Sequence, residues 1–143
     1  MQRVDIQQSE PEAYKAMFGL EQYISNTSID EPLREVVRIR ASVLNNCQFC
    51  IGMHSKNAKE LGVSKEKITA ISNWQDSDLF SPAEQAVLSM TDSVTHISAN
   101  GLPNDVYQNV AMFFNENEIA QLIMLIAAIN TWNRLGVSMS VVT

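Results

Sequence analysis

Four prolines are spread along this 143-residue chain, and each falls where a helix would begin. Pro11 lies inside Ser9-Glu10-Pro11-Glu12, which has the form of a capping box. Pro32 follows Asp30, Pro82 lies inside Ser81-Pro82-Ala83-Glu84, and Pro103 precedes a run with helical apolar spacing. Proline lacks an N–H and has its φ fixed, so it suits a helix's first turn and disrupts its interior. With only 5 glycines besides, little in the chain favours short strands joined by tight turns. The expected fold class is all-α, a single-domain bundle of about six or seven helices. Its core is expected over about residues 30–100, with C-terminal packing helices over 103–136.

Taken in order, the first helix is expected from Ser9, with Tyr14, Met17, Phe18 and Ile24 as an apolar stripe, ending at Ser25-Asn26-Thr27-Ser28. The second starts near Asp30 and buries Leu33, Val36, Val37 and Leu44. Asn45-Asn46 interrupts it, and a third runs to Leu61 with Gly62 as its C-cap. Ser64 caps a shorter helix through Ile68 and Ile71 towards Trp74, followed by a loop at Gln75-Asp76-Ser77-Asp78. Ser81 opens a helix through Val87, Leu88, Thr91, Val94 and Thr95 that Ala99-Asn100-Gly101 stops. Pro103 starts one through Val106, Val110 and Phe113. Asn115-Glu116-Asn117-Glu118 caps the last, from about Glu116 to Leu135, and Val137 to Thr143 reads as extended. That last helix is apolar on most sides, which predicts burial all round. Subunit association is expected to supply part of that cover, with Trp132, Asn133 and Arg134 as anchors.

The net charge of −6 with no basic cluster argues against nucleic acid and anionic membrane surfaces as partners. The most apolar run, Ile119 to Ile129, is about half of what a membrane span needs. The N-terminus lacks the apolar core of a signal peptide, so a cytoplasmic location is expected.

Chemistry concentrates in Cys47-Gln48-Phe49-Cys50-Ile51-Gly52-Met53-His54, which holds both cysteines and one of the two histidines. On a helix, spacings of three and four put Cys47, Cys50 and His54 on roughly one face, and two cysteines so spaced can close a disulfide. Two cysteines are too few for a secreted disulfide scaffold and suit a redox or metal role. The preceding asparagines suit a helix start, where unpaired N–H groups and the macrodipole favour a thiolate. His54 is placed to take a proton from Cys50. A thiolate can attack a peroxide O–O bond to give a sulfenic acid, which the second cysteine converts to a disulfide. An external dithiol or protein reductant must then reopen it, and no cofactor is called for.

Glu35 enters through geometry. If the helices flanking Asn45-Asn46 form an antiparallel hairpin, Glu35 lies level with His54, each some 15 Å from the turn at about 1.5 Å per residue. A carboxylate there would orient the imidazole and raise its basicity. Cys50 is the favoured nucleophile because His54 is one helical turn away, although Cys47, nearer the helix start, feels the dipole more. Other readings stay open at this level. The two cysteines can be buried structural residues. Cys47, Cys50 and His54, with Glu35 or a water, also make a possible zinc set, though no second ligand pair exists. His96 reads as a satisfied histidine, and Trp74 and Phe80 read as packing residues or walls of a dithiol pocket. The dithiol can also belong to a redox-responsive interaction protein without efficient turnover.

Glu35, followed at twelve residues by C-x-x-C and then by His54, resembles the alkylhydroperoxidase D-like group of the carboxymuconolactone decarboxylase superfamily. Arg38 to Ser42, the run Cys47 to His54, and Ala58, Leu61 and Gly62 carry the likeness, as do Trp74 to Ser77, Phe80 to Glu84 and Asn130 to Leu135. The resemblance covers roughly residues 10–138. It implies an all-helical fold assembling as dimers, trimers or trimers of dimers, and peroxidase activity through Cys47 and Cys50 with Glu35 and His54 in a proton relay. Well-known members carry a histidine directly before the second cysteine, where this chain has Phe49. Decarboxylases proper generally lack the dithiol.

Overall fold

The computed structural model describes residues 3–140, and among them every regular element is helical. The elements are α1 (Ile6–Ser9), α2 (Pro11–Ser25), α3 (Glu31–Leu44), α4 (Gln48–Glu60), α5 (Lys65–Ala70), a 3-10 helix (Ile71–Asp76), α6 (Pro82–Thr95), α7 (Ile97–Asn100), α8 (Asn104–Ala111) and α9 (Glu116–Met139). The excess over the expected six or seven comes from the one-turn pieces α1 and α7 and the six-residue 3-10 helix.

Reciprocal capping boxes form at Ser81 and, where a helix cap was expected, at Asn115. Ser81 and Glu84 satisfy one another's backbone N–H groups at the start of α6, and Asn115 and Glu118 do so at the start of α9. The box at Ser9 does not form. Ser9 ends α1, where its N–H donates to the Asp5 carbonyl at 2.9 Å, and Glu10 takes the N-cap position of α2 with no side-chain bond. The proline at 11 explains the break, because it disfavours helical backbone at the residue before it. The helix after Ser81 also stops sooner than expected, at Thr95, and α7 runs on to Gly101, whose φ of +64° suits glycine.

The last helix is longer than its sequence suggested. Residues 137–139, expected to be extended, continue α9 to Met139, while 141–143 lie outside the described residues. Its final turn is held by the N-terminal segment: Arg3 donates to the Ser138 carbonyl and the Ile6 N–H to Met139 Sδ. Over its 24 residues α9 is long and apolar enough to cross a membrane by length and composition alone. Here it is a core helix, with α2, α3, α4, α6 and α8 packed against it. Leu122, Leu125, Ile126 and Ile129 are buried by those neighbours. Met124 remains 40% exposed.

The core has two parts, and α3 serves both. Val37 joins Ile24, Met90, Val110, Leu122 and Leu125 in one. Val36 and Ile39 join Ala58, Ile71, Trp74, Phe80 and Leu88 in the other. Burial on two faces leaves α3 few ways to rotate, and Glu35 is buried on the same helix. Arg40 fastens the second part: its guanidinium makes two bonds to Asp92, at 2.6 and 3.1 Å, and donates to the carbonyls of Ile71 and Ser72. The Trp74 indole N–H donates to the same carboxylate at 3.2 Å.

Candidate active site

The turn between α3 and α4 decides where the sulfurs go. Asn46 adopts a left-handed backbone, φ +55°, which asparagine tolerates better than most residues. Its N–H donates to the Val43 carbonyl at 3.1 Å and that of Cys47 to the Ser42 carbonyl at 3.0 Å. These two bonds are the paired closures of a Schellman motif, and they end α3. Cys47 is at once the last residue of that motif and the N-cap of α4, so one helix passes to the next with no loop between. Cys50 follows at the third helical position, and the two cysteines form a disulfide with Cα atoms 5.3 Å apart.

The turn is pinned to α9. Asn45 Nδ2 donates to Asn130 Oδ1 at 2.8 Å and to Asn133 Oδ1 at 3.0 Å, and Asn133 Nδ2 donates to Ser42 Oγ at 3.0 Å. Asn133 is fully buried, and with these partners its amide is satisfied.

Glu35 and His54 meet as the hairpin geometry required. His54 Nδ1 lies 2.7 Å from Glu35 Oε2, with both residues buried. A carboxylate can only accept, so this pairing puts the ring proton on Nδ1 and leaves Nε2 as the basic nitrogen. The other Glu35 oxygen accepts from Arg38 Nη1 at 2.9 Å, Arg38 Nη2 donates to Glu21 Oε2 at 2.9 Å, and the Trp132 indole N–H donates to Glu21 Oε1 at 2.9 Å.

Cys50 and His54 face a cavity of about 410 Å3 whose other walls include Tyr14, Phe18, Glu21, Phe49, Met53, Trp132 and Met139. Tyr14 meets the Trp132 ring edge-on at 5.4 Å between centroids. Cys47 is not in the cavity wall. Phe49, which directly precedes Cys50, is 77% exposed and also lines the cavity.

All four residues singled out from sequence, Glu35, Cys47, Cys50 and His54, are therefore brought together. Trp74 and Phe80 are not in this wall and belong to the second core cluster. His96 is exposed at the end of α6. The two sulfurs are bonded to each other, and among the described residues no group of three His, Cys, Asp or Glu side chains is placed to hold a metal ion. Sequence reasoning missed Glu21 and the roles of Arg38 and Trp132. Tyr14, Phe18 and Glu21 stand at helical spacings of four and three, so the signal for a cavity-facing stripe was present.

The model of the carboxymuconolactone decarboxylase family matches residues 11–93, a span that includes Glu35, both cysteines and His54. The chain belongs to that family. Within it the protein is alkylhydroperoxidase D-like. It is 34% identical over 138 residues to the uncharacterized protein YdfG of Bacillus subtilis, a match covering 96% of this chain and 94% of YdfG. A crystal structure from Agrobacterium tumefaciens, ATU0492, is of a protein of unknown function assigned only provisionally to AhpD-type antioxidant defence. It superposes with a TM-score of 0.94 at 34% identity, covering 97% of this chain and 95% of that one. The debrominase Bmp8, at 23% identity and a TM-score of 0.78 over 92% of this chain and 70% of its own, shares the fold.

Proposed function

We propose that this family member is a thiol-dependent peroxidase for hydrogen or alkyl peroxides, with Cys50 as nucleophile and Cys47 as resolving thiol. The observation that carries the reading is the position of Cys50. It is bonded to Cys47, shares a cavity wall with His54, and His54 is hydrogen-bonded to Glu35. In the dithiol form His54 Nε2 accepts the Cys50 thiol proton. The thiolate attacks the terminal, hydrogen-bearing peroxide oxygen, the O–O bond breaks, and the departing alkoxide takes the proton from His54 to leave as an alcohol (water, for hydrogen peroxide). Cys50 is now a sulfenic acid. The Cys47 sulfur attacks it, forming the disulfide and releasing water. An external dithiol reopens the bond by exchange and is itself oxidised. The largely apolar cavity suits the organic portion of an alkyl hydroperoxide.

The test is consumption of cumene hydroperoxide by purified protein with dithiothreitol as reductant. Wild type should turn over and Cys50→Ser should not. Equal, slow consumption by both would end this reading. Fast disulfide formation without sustained turnover would instead favour a redox-responsive protein acting on a partner.

A further inference from the structure

We propose that Arg38 is a positioning residue that sets the proton relay and the substrate wall together. Its kinetic consequences rest on the peroxidase reading above, but its structural ones do not. Arg38 is about one turn beyond the relay carboxylate on α3, and its side chain is only 12% exposed. One guanidinium nitrogen donates to Glu35 and the other to Glu21, each at 2.9 Å. Those carboxylates come from different helices, α3 and α2. Each uses its remaining oxygen for a second contact: Glu35 holds His54 Nδ1 and Glu21 holds the Trp132 indole. The chain His54–Glu35–Arg38–Glu21–Trp132 thus runs unbroken from the imidazole to the aromatic wall of the cavity.

The planar guanidinium is what allows this. Its nitrogens point along fixed, divergent directions, so it can serve two carboxylates at once, whereas an ammonium is a point charge without that fork. Removing it would leave two carboxylates facing one gap with no cation between them, Glu35 buried and Glu21 partly exposed, so that their repulsion is only incompletely screened. Glu35 would then be free to turn from His54, and the ring would lose its single tautomer. Glu21 would be free to leave Trp132, and the cavity wall with it.

The experiment compares the full chain as wild type, Arg38→Met, Arg38→Lys and Glu21→Gln. Two quantities are read: the His54 ring tautomer by nitrogen-15 NMR, and kcat and KM for cumene hydroperoxide with dithiothreitol. Wild type should show one Nδ1–H tautomer. Arg38→Met should show a mixture, with kcat/KM down by roughly ten- to hundredfold through both a lower kcat and a higher KM. Arg38→Lys should recover thermal stability without recovering both kinetic terms. Glu21→Gln should keep the tautomer and raise KM more than it lowers kcat. A wild-type tautomer in Arg38→Met, with kcat and KM within about twofold of wild type, would overturn the proposal and make Arg38 an ordinary ion pair. Should Arg38→Met fail to fold, wild-type KM in Glu21→Gln together with full recovery by Arg38→Lys would overturn it equally. If wild type consumes no peroxide, the peroxidase reading falls, and an unchanged tautomer in the Arg38 variants would by itself overturn the positioning role.

Discussion

Gly136 stands directly over Cys47. A Cβ placed on it would lie 3.2 Å from Cys47 Sγ and 3.8 Å from Cys50 Sγ, so α9 crosses the disulfide at a point where only hydrogen fits without adjustment. Gly136→Ala gains about 1 kcal/mol of helix propensity. Against this stands an overpacking cost of roughly 1–3 kcal/mol. The net expectation is a Tm lowered by a few degrees in the oxidised protein, and a larger fall for Gly136→Leu, read by thermal melting. An Ala variant as stable as wild type would mean that the sulfur yields without cost.

Glu35→Gln should leave the helices intact yet slow peroxide turnover by about ten- to a thousandfold, because an amide can donate to Nδ1 and so stabilise the wrong tautomer. Far-UV circular dichroism alongside the coupled peroxide assay separates a lost relay from a lost fold. Turnover at the wild-type rate would remove Glu35 from the mechanism.

Asp92 is expected to be a stability residue with no part in the chemistry. It receives two bonds from Arg40 and one from Trp74, which join α3, the 3-10 helix and α6. Asp92→Ala strands the guanidinium in a largely buried position and should cost roughly 2–4 kcal/mol in urea unfolding. A cost below about 0.5 kcal/mol would place this cluster with ordinary surface ion pairs.

Glu84 should mark the acid limb of stability. Burial raises its pKa, but the hydrogen bond from Lys67, the Ser81 backbone N–H, the Lys67 charge and the Ser81 hydroxyl together outweigh burial and hold the carboxyl below its ordinary value. A group lowered in the folded state stabilises it above the unfolded pKa, and that contribution is lost as pH falls through the folded one. Glu84→Gln should therefore be less stable than wild type near pH 7, with the difference shrinking on acidification below about pH 4. Parallel curves of Tm against pH would contradict this.

Local rules made most of this fold legible. Ser81, Asn115 and Ser64 announce helix starts through side-chain caps that the structure contains, and Gly62 ends α4 with φ +94°. The dithiol, His54 and Glu35 could be placed because each relation depends on rise per residue within two consecutive helices. What escaped was set by distant parts of the chain. Nothing local to Trp132 says that Glu21, 111 residues earlier, accepts its N–H. The extra turn of α9 rests on Arg3 and Ile6 reaching residues 138 and 139. Ser9 misled because its box pattern is intact in sequence while the preceding turn had already claimed its N–H.

The joint at Asn46 and Cys47 has no slack. One residue inserted between Cys47 and Cys50 would swing everything downstream by about 100° around the axis of α4. The second sulfur and the imidazole would then turn away together from Cys47 and Glu35. Length changes are thus forbidden at this joint, whereas the outer helices that wall the cavity can be reshaped around a hairpin that keeps its count.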